Sequence, residues 1–426
     1  MAYQAVVTRV RTRPLEGADN LLLADCLGYQ VIVGKDVQDG ELGVFFEQGG
    51  QLSEEFATVN DLIIRKDADG NRTGGMFDPN RRVKAIKLRG ARSDGFWMPL
   101  SKFTYTGADL LALREGDQFD TLNEHLICTR YETPATRAAA GQSKAGSRAN
   151  GLLPRHIDTE HLRRNLASIP AGATIYITEK LHGTSMRFGH AKVTRTLPQE
   201  PWWKRFITRL MGDVYEEEET AWEHLNGSRN VVMFDDKQAG YYESNDFRHR
   251  VVHGLKLHKG EIIFGEIVGW AGPQTPIMSP QTTDDKKVRT AFGDRIVYSY
   301  GCEQGQAALY VYRIAVMGED GVLHEKTWEQ VKGRCRELGI KHVPEIMAHH
   351  RFYAVDELLQ VANELVEGET GIVQSGVDKR HPIEGVVVRW EKGNEWGLLK
   401  HKSHLFGVLE GYLKNDENYI DTEEAA

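Results

Sequence analysis

Short apolar runs rich in β-branched and aromatic residues recur along this chain, and they constrain its fold more than any other feature. Before residue 108 they include Tyr29–Val33 and Gly43–Phe46, bounded by glycine and aspartate, and no long helical period interrupts them. This pattern predicts a small N-terminal β-domain. An OB-type barrel fits it, and so does a Greek-key sandwich.

Between residues 173 and 402, predicted strands and helices mix without the regular strand–helix–strand order of a parallel sheet. Two segments, around 328–338 and 355–365, carry apolar residues at helical spacing and are predicted to be amphipathic helices. We therefore predict an α+β domain with antiparallel sheets. Its clearest predicted strands are Val231–Phe234, Ile262–Phe264, Leu309–Val316, Gly385–Trp390 and Leu398–Lys400.

Two domains are predicted, separated by a segment of small residues. The segment 133–150 is rich in alanine, glycine and serine and contains no large apolar residue, so we expect a linker there. The first domain is then 1–132 and the second is 151–426, opening with a short helix over 159–166. A length of 426 residues agrees with about two or three domains.

Composition excludes several classes of protein. With 40% hydrophobic and 27% charged residues, the chain can form an ordinary core and is neither disordered nor collagen-like. The sequence contains no run of 18 consecutive apolar residues, so no membrane-spanning helix is predicted. The N-terminus lacks the apolar region of a secretion signal. The four cysteines are far apart, which argues against a CxxC zinc or redox site. We expect an intracellular, cytoplasmic protein.

A net charge of −8 means that a nucleic-acid partner would need a local basic patch. The stretch 81–92 is such a patch, with six basic residues and no acidic one, and it alternates like a strand over 82–89. On an OB-type strand it would follow a nucleic-acid backbone, whereas the plainer interpretation is a solvated strand face. The candidate contacts are Arg82, Lys84, Lys87 and Arg89.

The segment Thr178–Ser185 places Lys180 at the end of a predicted strand, before a tight turn at Gly183. A lysine ammonium has a pKa of about 10.4 and is a poor nucleophile near neutral pH. A site that uses such a lysine must supply cations or burial around it. Taken alone, the segment is better explained by a surface lysine before a turn.

Other charged residues lie within apolar strands. Glu266 and Glu384 are each flanked by aliphatic residues, and Lys400 and Lys402 alternate on one side of a strand. Such groups are costly to bury unless they are paired, hydrogen-bonded or linked to a metal. Each one singly suggests a structural ion pair, whereas together in one pocket they would form an anion and metal site.

In this order, together with Gly227–Asn230 and the aromatic strand Tyr310–Ile314, the segments resemble those of the covalent nucleotidyltransferase superfamily of ATP-dependent ligases and mRNA capping enzymes. The form Glu179–Thr184 is similar to that of RNA ligase 2 enzymes. The segment Val83–Leu100 resembles the N-terminal OB domain of Naegleria-type RNA ligases. Because 24 residues follow Lys402, we expect no C-terminal OB domain.

The resemblance implies an α+β protein with an N-terminal OB-type β-barrel and a C-terminal nucleotidyltransferase (adenylation) domain. The implied activity is ATP-dependent RNA ligation of 5′-phosphate and 3′-hydroxyl ends, expected at nicks, through a lysyl-AMP and an adenylylated 5′ end. The implied cofactors are ATP and Mg²⁺ or Mn²⁺, the partner is nicked duplex RNA, and a monomer is expected. Alternatives are a DNA or mixed RNA/DNA nick ligase, a capping guanylyltransferase, or a nucleic-acid-binding protein with an inactive ligase domain.

The resemblance also implies roles for single residues. Lys180 would be the nucleophile, Glu384 would hold the metal through water, and Lys400 and Lys402 would hold the α-phosphate. The remaining contacts to the nucleotide would come from Glu179 on the adenine side, Arg229 on the ribose or 5′-phosphate, Glu266 on the ribose and on metal-bound water, and Tyr312 stacking on adenine, with Tyr310 as its rival.

Two positions depart from the family pattern. His182 stands where DNA ligases and fifth-family RNA ligases carry an aspartate, and a neutral histidine cannot supply that negative charge. Arg313 follows the stacking aromatic where many ligases have an aspartate.

Overall fold

The computed structural model of the protein describes residues 3–88, 90–143, 152–196, 218–229, 232–233 and 246–419. Antiparallel sheets dominate both halves, and helices are few and short, which confirms the predicted α+β class. Among the described residues, no helix has both the length and the apolar character needed to cross a membrane.

The N-terminal half consists of short strands. A four-stranded antiparallel sheet has the order Gly95–Pro99, Leu42–Glu47, Ala5–Arg9 and Gln118–Phe119, and a three-stranded sheet contains Arg11–Pro14, Leu21–Cys26 and Tyr29–Gly34. The other strands pair two by two: Gly50–Leu52 with Cys128–Arg130, Arg65–Lys66 with Arg72–Gly74, Ile86–Leu88 with Ala91–Ser93, and Thr121–Leu122 with His125–Leu126. In the described residues, strand pairing does not close these sheets into one barrel.

Aromatic packing holds this half together. Phe46, Phe56 and Phe103 are fully buried, with ring centroids 5.5 Å apart for the first two and 4.9 Å apart for the last two. Phe56 belongs to the helix Glu54–Val59, whose N-terminus is capped by the Ser53 side chain, and Phe103 belongs to the 3-10 helix Leu100–Thr106.

The structure of this half differs from two local predictions. The strand expected over 82–89 is confined to Ile86–Leu88, because the segment before it turns inward against the C-terminal part of the chain. The first part of the expected linker forms the helix Pro134–Ser143, and the Thr133 hydroxyl at its start donates to the carbonyl of Tyr419. The rest of that segment, 144–150, lies outside the described residues.

The C-terminal half contains two larger sheets. The five-stranded sheet has the order Glu160–His161, Glu395–Lys402, Gly385–Lys392, Ala173–Lys180 and Glu345–Phe352. The seven-stranded sheet has the order Val232–Met233, Glu218–Gly227, Thr184–Thr196, Glu261–Gly269, Ala307–Met317 and Leu323–Glu325, with Lys341–His342 also paired to Ala307–Met317. A further two-stranded pair joins Gln281–Thr282 and Arg295–Ile296.

Helices pack around these sheets. The two predicted amphipathic helices are confirmed as Trp328–Leu338 and as the 3-10 turn Val355–Glu357 followed by Leu358–Glu367. The helix predicted from residue 159 begins only at Leu162, since Glu160 and His161 pair as a strand. The described helices of this half are Leu162–Asn165, the 3-10 turn Leu166–Ser168, Asp246–Val252, Lys286–Phe292, Trp328–Leu338, Leu358–Glu367 and His404–Leu413.

The chain passes from the five-stranded to the seven-stranded sheet within three residues, between Lys180 and Thr184. Gly183 makes this passage possible, because a Cβ there would collide with the carbonyl oxygen of Ile267 and lie 2.9 Å from Glu266 Cγ. The tight crossing places the end of one sheet directly beside a carboxylate of the other.

Candidate active site

Strand register brings two of the predicted lysines together. Lys180 pairs with Gly385, and Gly385 pairs with Lys402 on its other side, so the three residues form one row across the five-stranded sheet. A side chain at Gly385 would collide with the carbonyl oxygen of His401. The glycine therefore leaves the two lysine side chains facing a common point.

That common point is the carboxylate of Glu384. Its Oε1 lies 2.8 Å from Lys180 Nζ and 3.1 Å from Lys402 Nζ, and the residue is only 1% exposed. Burial by itself would raise the pKa of Glu384, but Lys180, Lys402 and His182 outweigh it and lower the pKa below its usual range. The site therefore holds a buried, ionised carboxylate between two ammonium groups.

His182 is fixed beside this carboxylate. Its Nδ1 lies 3.9 Å from Glu384 Oε2, and its backbone N–H donates to Tyr300 Oη at 2.6 Å. The ring packs edge-on against Tyr298 and Phe406, with centroid distances of 4.8 Å to each. The histidine is thus a buried, aromatic-packed neighbour of Glu384 in the place of the expected aspartate.

A pocket opens in front of Lys180, with an empty volume of about 1040 Å³ that includes space open to solvent. Six of the predicted site residues line it, namely Glu179, Lys180, Arg229, Glu266, Tyr312 and Lys400. They come from both large sheets and are up to 221 positions apart in the chain, as their numbers show. Tertiary structure therefore gathers these six residues in one cleft, while Glu384 and Lys402 lie behind Lys180 and do not line it.

A β-bulge places one of the two candidate stacking tyrosines in the pocket lining. The register of Glu261–Gly269 against Ala307–Met317 shifts between Phe264 and Gly265, which leaves Tyr312 as the extra residue. Tyr312 lines the pocket, whereas Tyr310 is 5% exposed and belongs to the hydrophobic core. Burial, followed by the nearby charge of Glu266, raises the pKa of Tyr312, so its hydroxyl stays protonated.

His156 is a pocket residue that sequence reasoning missed. Its Nδ1 lies 2.9 Å from Tyr312 Oη, and it precedes Asp158, which forms an ion pair with Arg229. Burial, together with the positive charges of Arg187, Arg229 and Arg313, lowers the pKa of His156 to about 3. No sequence signal distinguished this histidine, because the partners that define it are far away in the chain.

Glu179 is held by a loop from the other end of the domain. Its Oε1 accepts from Ser375 Oγ at 2.5 Å and its Oε2 accepts from Gly376 N at 3.0 Å. Burial raises the pKa of Glu179 despite these two hydrogen bonds. Because each of its two oxygens accepts a hydrogen bond, the carboxylate has a fixed orientation at the pocket wall.

Arg313, the second departure from the family pattern, has its own counter-charge. Its Nε lies 2.9 Å from Glu325 Oε2, and its guanidinium lies 4.0 Å from the centre of the Phe264 ring. Arg389 also lines the pocket, and its Nε donates to Glu391 at 2.6 Å. The charge of Arg313 is thus compensated by Glu325 on the neighbouring strand.

Among its described residues, the predicted basic patch is only partly exposed to solvent. Arg82 is 5% exposed and donates to the carbonyl of Gly411 at 2.9 Å, so its guanidinium contacts the protein, contrary to its expected role in binding nucleic acid. Lys84 pairs with Asp78 at 2.6 Å, and Lys87 is exposed. Arg89 lies outside the described residues, as does the basic–aromatic stretch 202–206.

With this geometry established, comparison with known proteins identifies the family. A family model described as RNA ligase matches residues 173–403, just over half of the chain, and contains every part of the pocket described above except its 156–159 edge. The chain belongs to the RNA ligase family. It is a polynucleotide ligase by that membership. A search of curated proteins returns no significant match.

Solved structures place the fold of this ligase beside that of a Naegleria gruberi enzyme. The apo form of a mutant of Naegleria gruberi RNA ligase has a TM-score of 0.57 at 17% identity, covering 96% of this chain and 98% of that one. Another mutant, with ATP and Mn, has a TM-score of 0.56 at 16% identity, covering 97% and 99%. The structure with PPi has a TM-score of 0.55 at 16% identity, with the same coverage. The shared fold therefore extends over nearly the whole ligase.

Proposed function

We propose that this ligase uses ATP to join a 5′-phosphate and a 3′-hydroxyl of RNA in three steps. First, Lys180 Nζ attacks the α-phosphorus of ATP, the bond to pyrophosphate breaks, and the amine loses a proton. Next, an oxygen of the RNA 5′-phosphate attacks the adenylate and releases Lys180. Finally, the 3′-hydroxyl attacks the activated 5′-phosphate, and AMP leaves with the bonding electrons.

One observation carries this proposal: Lys180 lines the pocket, 2.8 Å from the buried Glu384 and in one row with Lys402. A lysine in such a position can present its amine to a phosphate while the second ammonium neutralises the charge that develops there. Lys400 lines the same pocket and adds the positive charge of a third lysine.

The pocket wall suits a nucleoside. Tyr312 offers an aromatic face for a base, and Glu179 offers a carboxylate fixed by two hydrogen bonds near the base edge. Glu266 and Arg229 complete the wall where the ribose and a phosphate would lie. ATP is the expected nucleotide, and the presence of ATP in the Naegleria gruberi structure of the same fold supports this choice.

A divalent metal fits beside Glu384. Its Oε2 is a buried carboxylate oxygen that accepts no hydrogen bond from the described residues, and no cluster of three or more metal-ligating side chains exists among them. Mg²⁺ keeps several waters and needs only one or two carboxylates, so Glu384, with Glu266 across the crossing, would hold Mg²⁺ or Mn²⁺ through water. A bound metal would neutralise charge on the phosphate oxygens.

The N-terminal half is proposed to be an OB-type domain over 1–132, followed by the nucleotidyltransferase domain over 151–426. Its short antiparallel strands and aromatic core support this assignment. With Arg82 buried, Lys84 and Lys87 remain the candidate RNA contacts of the predicted patch. We propose nicked duplex RNA as the substrate.

Labelling tests the nucleophile directly. The ligase is incubated with ATP radiolabelled at the α-phosphate and with Mg²⁺ or Mn²⁺, and we expect acid-labile, alkali-stable label on the protein. Lys180→Ala should abolish it. The matched control is Lys392→Ala, since Lys392 ends the neighbouring strand about 23 Å from the row of Lys180. Equal labelling of wild type and Lys180→Ala would overturn the assignment.

A sealing panel tests the substrate. RNA and DNA are placed in turn on each side of a nick, beside the same ends as single strands. We expect sealing to be fastest with RNA on both sides of a nick. Equal rates with an all-DNA nick would favour a DNA or mixed nick ligase, and labelling by GTP in preference to ATP would favour a guanylyltransferase. Normal RNA binding without any labelling would identify an inactive ligase domain.

A further inference from the structure

The strand Glu395–Lys402, named here the lysine strand because it carries Lys400 and Lys402, is fastened to the N-terminal half of the chain. On its outer edge it pairs in parallel with Glu160–His161, so that His161 lies opposite Lys400. Near its end, His401 contacts Asn363, which also binds Arg163. Just beyond its end, His404 contacts the N-terminal half directly. Two buried carboxylates of that half take part directly: Glu47 contacts His161, and Asp94 contacts His404.

Glu47 holds the outer edge of the lysine strand. It ends the N-terminal strand Leu42–Glu47, and its Oε1 lies 3.1 Å from His161 Nδ1 while its Oε2 lies 2.9 Å from Arg164. Tyr29 Oη donates to the same carboxylate at 2.7 Å. Burial opposes ionisation, but His161 and Arg164 hold the pKa of Glu47 well below its usual range. A charged group is therefore buried across the boundary of the two halves.

Asp94 holds the other end of the lysine strand. Its Oδ1 lies 2.7 Å from Nδ1 of His404, the first residue of the helix that follows. Arg163 completes the junction, donating to the carbonyl of Gly28 in the N-terminal half and to Asn363 Oδ1 at 3.1 Å. The same Asn363 oxygen lies 3.0 Å from His401 Nε2, in the residue between the two lysines.

We propose that Glu47 and Asp94 are positioning residues of the nucleotide site, so that the N-terminal half acts in lysine adenylylation as well as in any contact with RNA. The inference rests on the proposed function. Without Glu160–His161 the lysine strand would be the edge of the five-stranded sheet, held on one side only by its pairing with Gly385–Lys392. Fixing it on both sides of Lys400–Lys402 keeps these ammonium groups aligned with Lys180 and Glu384.

This role differs from simple stabilisation because it concerns one strand. Removing one partner of a buried ion pair leaves the other charge uncompensated, so the contact opens locally. A displacement of about 1 Å at a catalytic group can reduce a rate by about 100-fold. Loss of both carboxylate charges should therefore slow adenylylation while the seven-stranded sheet keeps its packing.

The test compares wild-type ligase, the double variant Glu47→Gln/Asp94→Asn, and each single variant, all as full-length chains. The control is Glu115→Gln, because Glu115 is a carboxylate of the N-terminal half that lies far along the chain from these contacts and is more than half exposed. Its ion pair with Arg9 is 4.0 Å long, and the hydrogen bonds that its Oε1 accepts from Arg9 N–H at 3.2 Å and from Thr8 at 3.4 Å can be kept by glutamine. Two quantities are measured: the rate of self-labelling at saturating ATP, and the amide hydrogen exchange of peptides that cover 395–404 and 261–269.

We expect the double variant to label about 10- to 100-fold more slowly than wild type and to exchange faster over 395–404 but not over 261–269. Glu115→Gln should match wild type in both respects. If wild type is labelled and the variants match it in both labelling rate and hydrogen exchange, the inference is overturned and the proposed function stands. Absence of labelling in wild type itself would instead overturn the proposed function. If the double variant fails to fold, the same comparison with Asp94→Asn alone decides.

Discussion

The buried carboxylate between two lysines permits a quantitative prediction for Glu384→Gln. At an effective dielectric constant of about 20, an ion pair at the observed 2.8–3.1 Å gains roughly 5–6 kcal/mol of gross attraction. Desolvation of the carboxylate cancels much of this gain. Removing one partner of a buried pair costs about 3–5 kcal/mol, and we expect the lower end, about 3 kcal/mol, since both lysines retain some contact with solvent.

The pH dependence of this loss has a definite sign. The pKa of Glu384 lies below its ordinary value of 4.5 in the folded protein, so the unfolded chain takes up the proton first as the pH falls. The carboxylate thus contributes its stability above about pH 4.5, and the contribution disappears as the pH falls through the folded-state pKa. The difference between wild type and Glu384→Gln should be full at pH 7 and should shrink below pH 4.5.

Two assays measure the effect, with Glu261→Gln as the matched control. Glu261 is 0% exposed and binds Arg334 at 2.9 Å, but it lies five residues along the strand from Glu266, away from the pocket. Urea unfolding should show a comparable loss of free energy in both variants. Self-labelling should fall about 100-fold or more only in Glu384→Gln. Equal labelling by both variants, or no loss of stability in Glu384→Gln at pH 7, would refute the reasoning.

Three further predictions concern the pocket and its surroundings. Tyr312→Leu should raise the ATP concentration for half-maximal labelling at least fivefold, whereas Tyr312→Phe, which keeps the ring, should stay within about threefold of wild type; equal effects would argue against stacking. His156, with a pKa of about 3, should remain neutral across pH 5–8, and a histidine NMR titration with its midpoint inside that range would contradict this. Arg313→Met should lower the free energy of unfolding by about 3 kcal/mol, because it leaves Glu325 unpaired. Adding Glu325→Gln should restore part of this loss. If the losses of the two single variants simply add in the double variant, the two residues are not coupled.

The sequence by itself predicted the residues of the candidate site. Lys180, Glu384 and Lys402 each stood out as a charged residue within or at the end of an apolar strand, where burial is costly without a partner, and their proposed roles came from the family resemblance. The order of these segments indicated the ligase family, and alternation or helical spacing located most of the strands and both amphipathic helices. The strand and helix predictions use local information, since each depends on residues within about ten positions of one another, whereas the family resemblance depends on the order of segments between Lys180 and Lys402.

Only the tertiary structure decided which neighbours complete the site. A bulge opposite Phe264 places Tyr312 in the pocket and leaves Tyr310 in the core, although both alternate along one strand. Arg82 looked like a solvated strand residue and is instead buried against Gly411, more than 300 positions away. His156 carried no local signal. These outcomes depend on contacts between distant segments. The composition of a short sequence segment does not specify which side chain from elsewhere in the chain will pack against it.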